Sequence, residues 1–337
     1  MNSKSPHIAE MWRPTGSVGA VECGLCFRAC IIAPGKRGMC QARENRFGTL
    51  ISLNYGYTKA LALDPVEKKP LYHFQPGSMT FSIGAPGCNF TCLGCQNHNL
   101  SRPGLDWPAV AASEGIVETL AGVALEQRAD SWSFTYSEPT VFFEYAQDLG
   151  RQAISQGLPV IWVTNGSMSK EVIETIKVSA MNIDLKSFSD SFYKTVAGGR
   201  LSVVAENIER ALARDIWVEI TTLLIGGLND SDQELEKLTK YLAGLSLDIP
   251  WHVSRFFPHH LQNHIPATPV ASLLKAREIG RKNGLRHIYL GNARGQGFSD
   301  TICPSCGELL ISREGYQINI DRLSSSGECS SCRTPIP

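Results

Sequence analysis

The sequence predicts an α/β protein, a partial barrel of the (β/α)6 type with a small cysteine-rich metal lobe at each end. Three observations carry that expectation. Short apolar runs at 79–83, 131–136, 159–163, 180–185, 216–225, 251–256 and 287–290 alternate with helix-patterned stretches. At a spacing of roughly 25–35 residues, this rhythm describes a parallel sheet with helices outside it. The eleven cysteines all fall into three groups, of four, three and four. Hydrophobic residues make up 43% of the 337 and charged residues 19%, enough apolar material for a sizeable core.

Residues 1–74 show little periodicity around Cys23, Cys26, Cys30 and Cys40 and read as an irregular, metal-dependent lobe. Residues 75–297 form the barrel. Helices are expected over Ser113–Arg128, Val141–Gln156 and Asp232–Ala243, with Ser113 and Asp232 as N-caps and Gly157 as a stop. Residues 298–337 turn polar and turn-rich around the last cysteine group. Lys plus Arg and Asp plus Glu each number 32. A neutral chain lacks the basic footprint that grips nucleic acid or anionic membrane, so neither partner is expected. Apolar runs are strand-sized, far below the roughly 20 residues of a membrane helix. The N-terminus lacks the apolar core of a signal peptide, and clustered thiols suit a reducing compartment, so a cytoplasmic location is expected.

The run at 79–83 leads into Cys88-x3-Cys92-x2-Cys95. A structural zinc normally takes four protein ligands, and this group supplies three. An iron–sulfur cube held by three thiolates keeps one iron open for another ligand. With this spacing after the first barrel strand, the sequence resembles the radical S-adenosylmethionine (SAM) superfamily. The resemblance implies a 4Fe–4S cluster whose open iron binds the methionine amino and carboxylate groups of SAM. It also implies reductive cleavage of the sulfonium to a 5′-deoxyadenosyl radical.

Barrel sites are built just beyond successive strand C-termini, and polar residues gather there. Ser137-Glu138-Pro139 resembles the family's Gly-Gly-Glu-Pro stretch, which implies that Ser137 and Glu138 meet the SAM amino group. The sequence departs from Gly-Gly at Tyr136-Ser137, and a loop acid that caps the next helix is the alternative reading of Glu138. Asn165, in Thr164-Asn165-Gly166, is either a functional amide or part of a turn. Asp184 and Lys186 share a strand face and could hold the ribose and carboxylate of SAM or a substrate backbone, against a surface salt pair. Asp-Leu-Lys here resembles the subgroup around pyruvate formate-lyase activating enzyme. Gly226 and Gly227 could bring backbone near adenine or simply form a turn. His252, Ser254, Arg255, His259 and His260 are further pocket candidates, with Arg255 pointing away from the face of His252 and Ser254.

Cys303-x2-Cys306-x22-Cys329-x2-Cys332 has two C-x2-C knuckles that close one tetrahedron, as in zinc ribbons, with rubredoxin-type iron the alternative. Cys23-x2-Cys26-x3-Cys30-x9-Cys40 supplies four thiolates for either a zinc or a second iron–sulfur cluster. The N-terminal lobe, Asp64–Phe74, the Gly87–Asn97 core and the tail together look like the AmmeMemoRadiSam-system radical SAM enzymes. That resemblance implies Memo-like and AMMECR1-like partner proteins, a reductant such as flavodoxin or ferredoxin, and an unidentified substrate. The alternatives are a glycyl-radical enzyme activase and a non-catalytic iron–sulfur or zinc carrier or scaffold. Asp64–Phe74 either lines the site or packs the lobe on the barrel.

Overall fold

The computed structural model describes residues 6–102, 104 and 115–337. Ser113 lies outside the described residues.

Seven parallel strands follow one another around the sheet in chain order: Met79–Gly84, Ser131–Phe134, Val160–Thr164, Ala180–Asp184, Trp217–Leu224, Trp251–Arg255 and Ile288–Gly291. Every expected apolar run forms one of them. An eighth strand, Ala60–Pro65, pairs antiparallel with the first, so the sheet begins inside the stretch read as N-terminal lobe. The two outer strands, Ala60–Pro65 and Ile288–Gly291, are not paired with each other, and the barrel is open along that seam. Strand order that equals chain order is what right-handed βαβ crossovers produce when each helix returns over the outside. The helices Ile116–Glu126, Phe143–Ser155, Lys170–Thr175, Leu201–Ala213, Asp232–Leu245 and Val270–Lys282 make those crossovers. The helix at 232–245 is capped by Ser231, whose side chain accepts from the Glu234 amide, one residue earlier than expected. Gly157, at φ 74°, ends the helix Phe143–Ser155 as expected.

Alternation along each strand divides its side chains between two environments. Phe81, Ile83, Trp132, Phe134, Trp162 and Trp251 face the helices and belong to the main core. Trp132, Trp162 and Trp251 are among the largest fully buried side chains, and truncating one to alanine costs about 3–5 kcal/mol in such a core. The opposite parity gives a lumen lined by Thr80, Ser82, Ser133, Asn182 and Glu219, all buried. A closed apolar barrel would fill this space with branched aliphatics; here the filling is small and polar.

The chain plugs the lumen at the strand N-termini. Val66 and Leu71 pack on Ile161 and Ala180. The Asn182 amide donates to the Pro70 carbonyl, and the Glu219 carboxylate accepts from the backbone N–H groups of Tyr72 and His73. Asp64–Phe74 therefore enters the barrel rather than merely joining the lobe to it.

The N-terminal lobe contains a three-stranded sheet, Trp12–Pro14, Val21–Cys23 and Ile31–Ile32, and a hairpin of Arg43–Arg46 with Thr49–Ser52. Strands of two to four residues are too short to leave a periodic pattern, so the sequence alone reads as irregular. In the tail, Leu309–Glu314 and Gln317–Asp321 form the expected hairpin, with Thr301–Ile302 beside it. Arg313 anchors this sheet to the barrel plug: its guanidinium donates to the Tyr72 carbonyl at 2.7 Å and lies over the Tyr72 ring. That buried arginine, and Arg322 paired with Glu308, are committed within the chain. Among the described residues, no helix is long and apolar enough to cross a membrane.

Candidate active site at the barrel mouth

Cys88, Cys92 and Cys95 sit on the loop that leaves the first parallel strand, at the C-terminal mouth of the barrel. The three thiols lie in one another's electrostatic field. Burial, followed by the nearby Glu138 carboxylate, pushes the Cys88 thiol well above its ordinary value. Burial also raises Cys92, against the pull of the Lys186 ammonium. Three thiols so placed become thiolates when a cation neutralises them, because a coordinating metal deprotonates its thiol ligands. Donors already point at Cys88: the Phe90 N–H lies 3.4 Å from its sulfur and the Asn165 amide 3.8 Å. Three converging sulfurs with no fourth cysteine in their group fit a cluster with one open iron.

The cysteine loop is held from three sides. Its Thr91 and Leu93 amides donate to Ala197 and Val196 carbonyls on the segment before Gly198. The Leu261 N–H reaches back to Leu93, and His260 stacks on His98 with ring centroids 4.3 Å apart. The third contact requires Gly87, at φ 108°, because a Cβ there would stand 2.8 Å from the Cys40 carbonyl.

Glu138 is 2% exposed and N-caps the turn Pro139–Phe142. Its Oε1 accepts from the Thr140 N–H, the Thr140 hydroxyl and the Thr164 hydroxyl, and its Oε2 from the Asn165 N–H. Burial raises its pKa against these bonds. The capping role is therefore real, and Oε2 keeps a lone pair beyond its single protein partner. Ser137 donates to the Ala85 carbonyl. Asn165 donates to Asn89 Oδ1 at 2.8 Å and accepts from Ser167, so it fastens the residue after Cys88.

Tyr136 explains how this chain departs from a glycine pair. It adopts φ 67°, the left-handed region that glycine favours, so the backbone keeps a glycine-like turn. Its hydroxyl donates to Asp64 within the lumen, and its ring lies 4.7 Å from the Lys69 ammonium. Asp64 also binds Lys69 at 2.6 Å and Lys68 at 2.7 Å. Burial alone would raise the Asp64 pKa, but bonds from Lys68, Lys69 and Tyr136 hold it well below the ordinary value. Burial brings Lys69 down to about 8 against the opposing pull of Asp64. The lumen below the mouth thus contains an amine, a carboxylate and a phenol in one hydrogen-bonded group. Tyr136→Phe is expected to lower stability by about 1.5–3 kcal/mol, the worth of a bond to a charged group. Urea denaturation at pH 7 checks this, and an unchanged midpoint would contradict it.

Asp184 and Lys186 meet at 2.7 Å beside Cys92. Burial would lower the Lys186 pKa, but Asp184 and then Cys92 hold it above its ordinary value. Both side chains remain partly exposed. The Gly226–Gly227 segment is a turn closed by Asn229 and Asp230, and the Asn229 amide braces the Lys186 carbonyl. Arg255 donates to the Thr268 carbonyl and lies over Phe257; parity along the strand gives its neighbour Ser254 the lumen side. His252 lies deep in the lumen, paired with Glu219 at 2.6 Å. Three lumen atoms, Ser131 Oγ, Asn182 Oδ1 and Thr221 Oγ1, are buried with no hydrogen-bond partner among the described residues. Buried polar atoms normally find partners, so these are positions for a bound molecule or ordered water.

At the other end of the chain, Cys303 and Cys332 sulfurs are 3.6 Å apart and Cys306 and Cys329 sulfurs 3.7 Å, with all four within 4.8 Å. A tetrahedron with metal–sulfur bonds of about 2.3 Å has edges of about 3.8 Å, so this quartet fits one ion.

The profile of the Radical SAM superfamily matches residues 82–242, the span from the first parallel strand to the helix Asp232–Leu245. An uncharacterized protein of Methanocaldococcus jannaschii, MJ0808, is 38% identical over 94% of this chain and 95% of its own length. A second protein of that archaeon, MJ1632, carries the provisional name of a glycyl-radical enzyme activating enzyme; it is 25% identical over 61% of this chain and 76% of its own. The structure of a radical SAM methyltransferase from Sphaerobacter thermophilus superposes with a TM-score of 0.47 and 18% identity, over 70% of this chain and 71% of that one. With three thiols at the mouth of an open parallel barrel and the family profile running from its first to its fifth parallel strand, the chain belongs to the radical SAM superfamily.

Proposed function

We propose that this enzyme cleaves SAM reductively at a 4Fe–4S cluster held by Cys88, Cys92 and Cys95, and acts on a substrate of the AmmeMemoRadiSam system. The observation that carries the reading is the cysteine trio at the mouth, with the Asp184–Lys186 pair beside Cys92. When bound, the cluster supplies one electron to the SAM sulfonium, and cleavage gives a 5′-deoxyadenosyl radical. The chain's own residues orient and enclose. Lys186 offers a cation for a carboxylate and Asp184 an acceptor for hydroxyl groups. Glu138 Oε2 offers one lone pair for an ammonium, and Ser137 and Asn165 set the backbone around it. The plug at the strand N-termini closes the lumen, so a substrate enters from the mouth and meets Lys69, Asp64 and Tyr136 below it. Anaerobic reconstitution followed by dithionite and SAM tests the reading: 5′-deoxyadenosine should form. A protein that builds the central cluster and releases none would refute it.

A second reading, activation of a glycyl-radical enzyme, is favoured by the likeness to MJ1632. Our preference rests on the two metal lobes, which are built into the barrel through Arg313 and the Cys40–Gly87 contact. A glycyl doublet in electron paramagnetic resonance (EPR) after incubation with a candidate glycyl-radical enzyme would reverse it.

The C-terminal quartet is read as a zinc site that stabilises the tail. Cys306→Ser should lower zinc by about one equivalent and make the segment beyond Phe298 protease-sensitive, because ligand binding and folding are coupled in so small a unit. The iron–sulfur spectrum should not change. Zinc retained with loss of iron signal would contradict the assignment.

A further inference from the structure

The N-terminal quartet differs in kind from the C-terminal one. Cys23, Cys26, Cys30 and Cys40 together line one cavity. Among the described residues, the C-terminal cysteines are the group whose ligand atoms all close to within 4.8 Å. Neither the N-terminal quartet nor the central trio contracts to that spacing. A single tetrahedral ion draws its four sulfurs to about 3.8 Å from one another. Thiolates on the irons of a cube stand farther apart, around a core with a volume of its own. The quartet's arrangement therefore resembles the central trio, with a fourth thiolate in place of the open position.

The cavity wall supports that reading. Leu25, Ile32 and Val141 keep it largely apolar, and Arg43 enters it as a fully buried side chain. One end of the guanidinium is spent on Glu144 at 2.7 Å, but its Nε has no hydrogen-bond partner among the described residues. A buried guanidinium N–H without an acceptor is costly, and sulfur facing the cavity would satisfy it. Asn89 lines the same cavity as Cys26, and Asn89 is covalently joined to Cys88. The Arg28 guanidinium donates to the Asn89 carbonyl, and the Cys40 carbonyl presses on Gly87. The two cysteine sites thus share one strip of chain, residues 87–89.

We propose that Cys23, Cys26, Cys30 and Cys40 hold a second, fully ligated 4Fe–4S cluster, placed to pass electrons to the central site along residues 87–89. A low-potential one-electron donor of the flavodoxin or ferredoxin class gives up one electron, and the same electron moves from the second cluster to the first; no bond forms or breaks in either transfer. The relay role rests on the central trio being the SAM-cleaving site, whereas the cluster assignment does not.

The test uses the full chain, purified anaerobically, with all three central cysteines replaced by alanine. Because this variant leaves the N-terminal lobe untouched, it should keep about four iron and four sulfide. Cys26→Ala/Cys30→Ala in the otherwise native chain should lose the same amount and keep the central cluster's spectrum. A triple variant that holds about two zinc and no sulfide-bearing iron would overturn the assignment. In the reduced native protein, EPR should show spin–spin broadening that both variants lack. A native spectrum equal to the plain sum of the two variants' spectra would overturn the relay. Iron retained by the triple variant, with no SAM cleavage by the native protein, would refute the central reading and leave the second cluster standing.

Discussion

Glu219→Ala is expected to destabilise the protein by about 3–5 kcal/mol, the cost of leaving several buried donors without their charged acceptor. Glu219 is fully buried and gathers four donors: the Tyr72 and His73 amides, the Trp217 indole N–H and the His252 ring. It is the point at which the plug is tied to the barrel. His73 in turn bonds Tyr289, and Tyr289 meets Thr301 of the tail, so loss of the carboxylate propagates across three segments. Burial opposes ionisation of Glu219, but the hydrogen bond and charge of His252 hold its pKa down at about 2, from an ordinary 4.5. The sign follows from that depression. The carboxylate's contribution, on the order of 3 kcal/mol, is complete above pH 4.5 and is lost as pH falls toward 2. The stability difference between the native chain and Glu219→Gln should therefore shrink over that range in urea titrations. A difference that is flat from pH 6 to 2 would contradict the account.

Cys92→Ala is expected to remove all 5′-deoxyadenosine formation and about four iron atoms per chain. Cys92 has no substitute, since every cysteine outside the Cys88, Cys92 and Cys95 group falls into one of the two other groups. The fold should survive, because Cys92 packs at the margin of the core and the loop keeps its backbone bonds to Val196 and Ala197. Iron analysis and product assay on the same preparation check both effects. Activity retained at full iron content would place the cluster elsewhere.

The barrel was legible because its strands obey a simple rule. SWSF and MTFSI alternate small polar with large apolar residues, and each run was recognisable without knowledge of its neighbours. The same alternation predicted that Arg255 turns away from His252 and Ser254, as it does. The polar lumen was encoded in those runs too, as the second parity, but its chemistry was not. Asp64 finds Tyr136 72 residues away, and Glu219 finds Tyr72 across 147. Such pairings depend on the closing of the sheet, which local pattern does not carry. Glu138 shows a different limit: the motif located it, but only the surrounding hydroxyls of Thr140 and Thr164 reveal that it caps a turn as well. Spacing alone separated the knuckles of the tail from the looser N-terminal quartet; the sulfur geometry and the Arg43 wall, from which the second cluster is proposed, are not carried by spacing.

The measurement that tests the central claim most directly is low-temperature EPR of the reduced full-length protein with and without SAM, with Cys92→Ala as the reference. The account predicts that the signal absent from Cys92→Ala shifts its g values when SAM is added, because an open iron gains new ligands. A signal from that cluster that SAM leaves unchanged would contradict it.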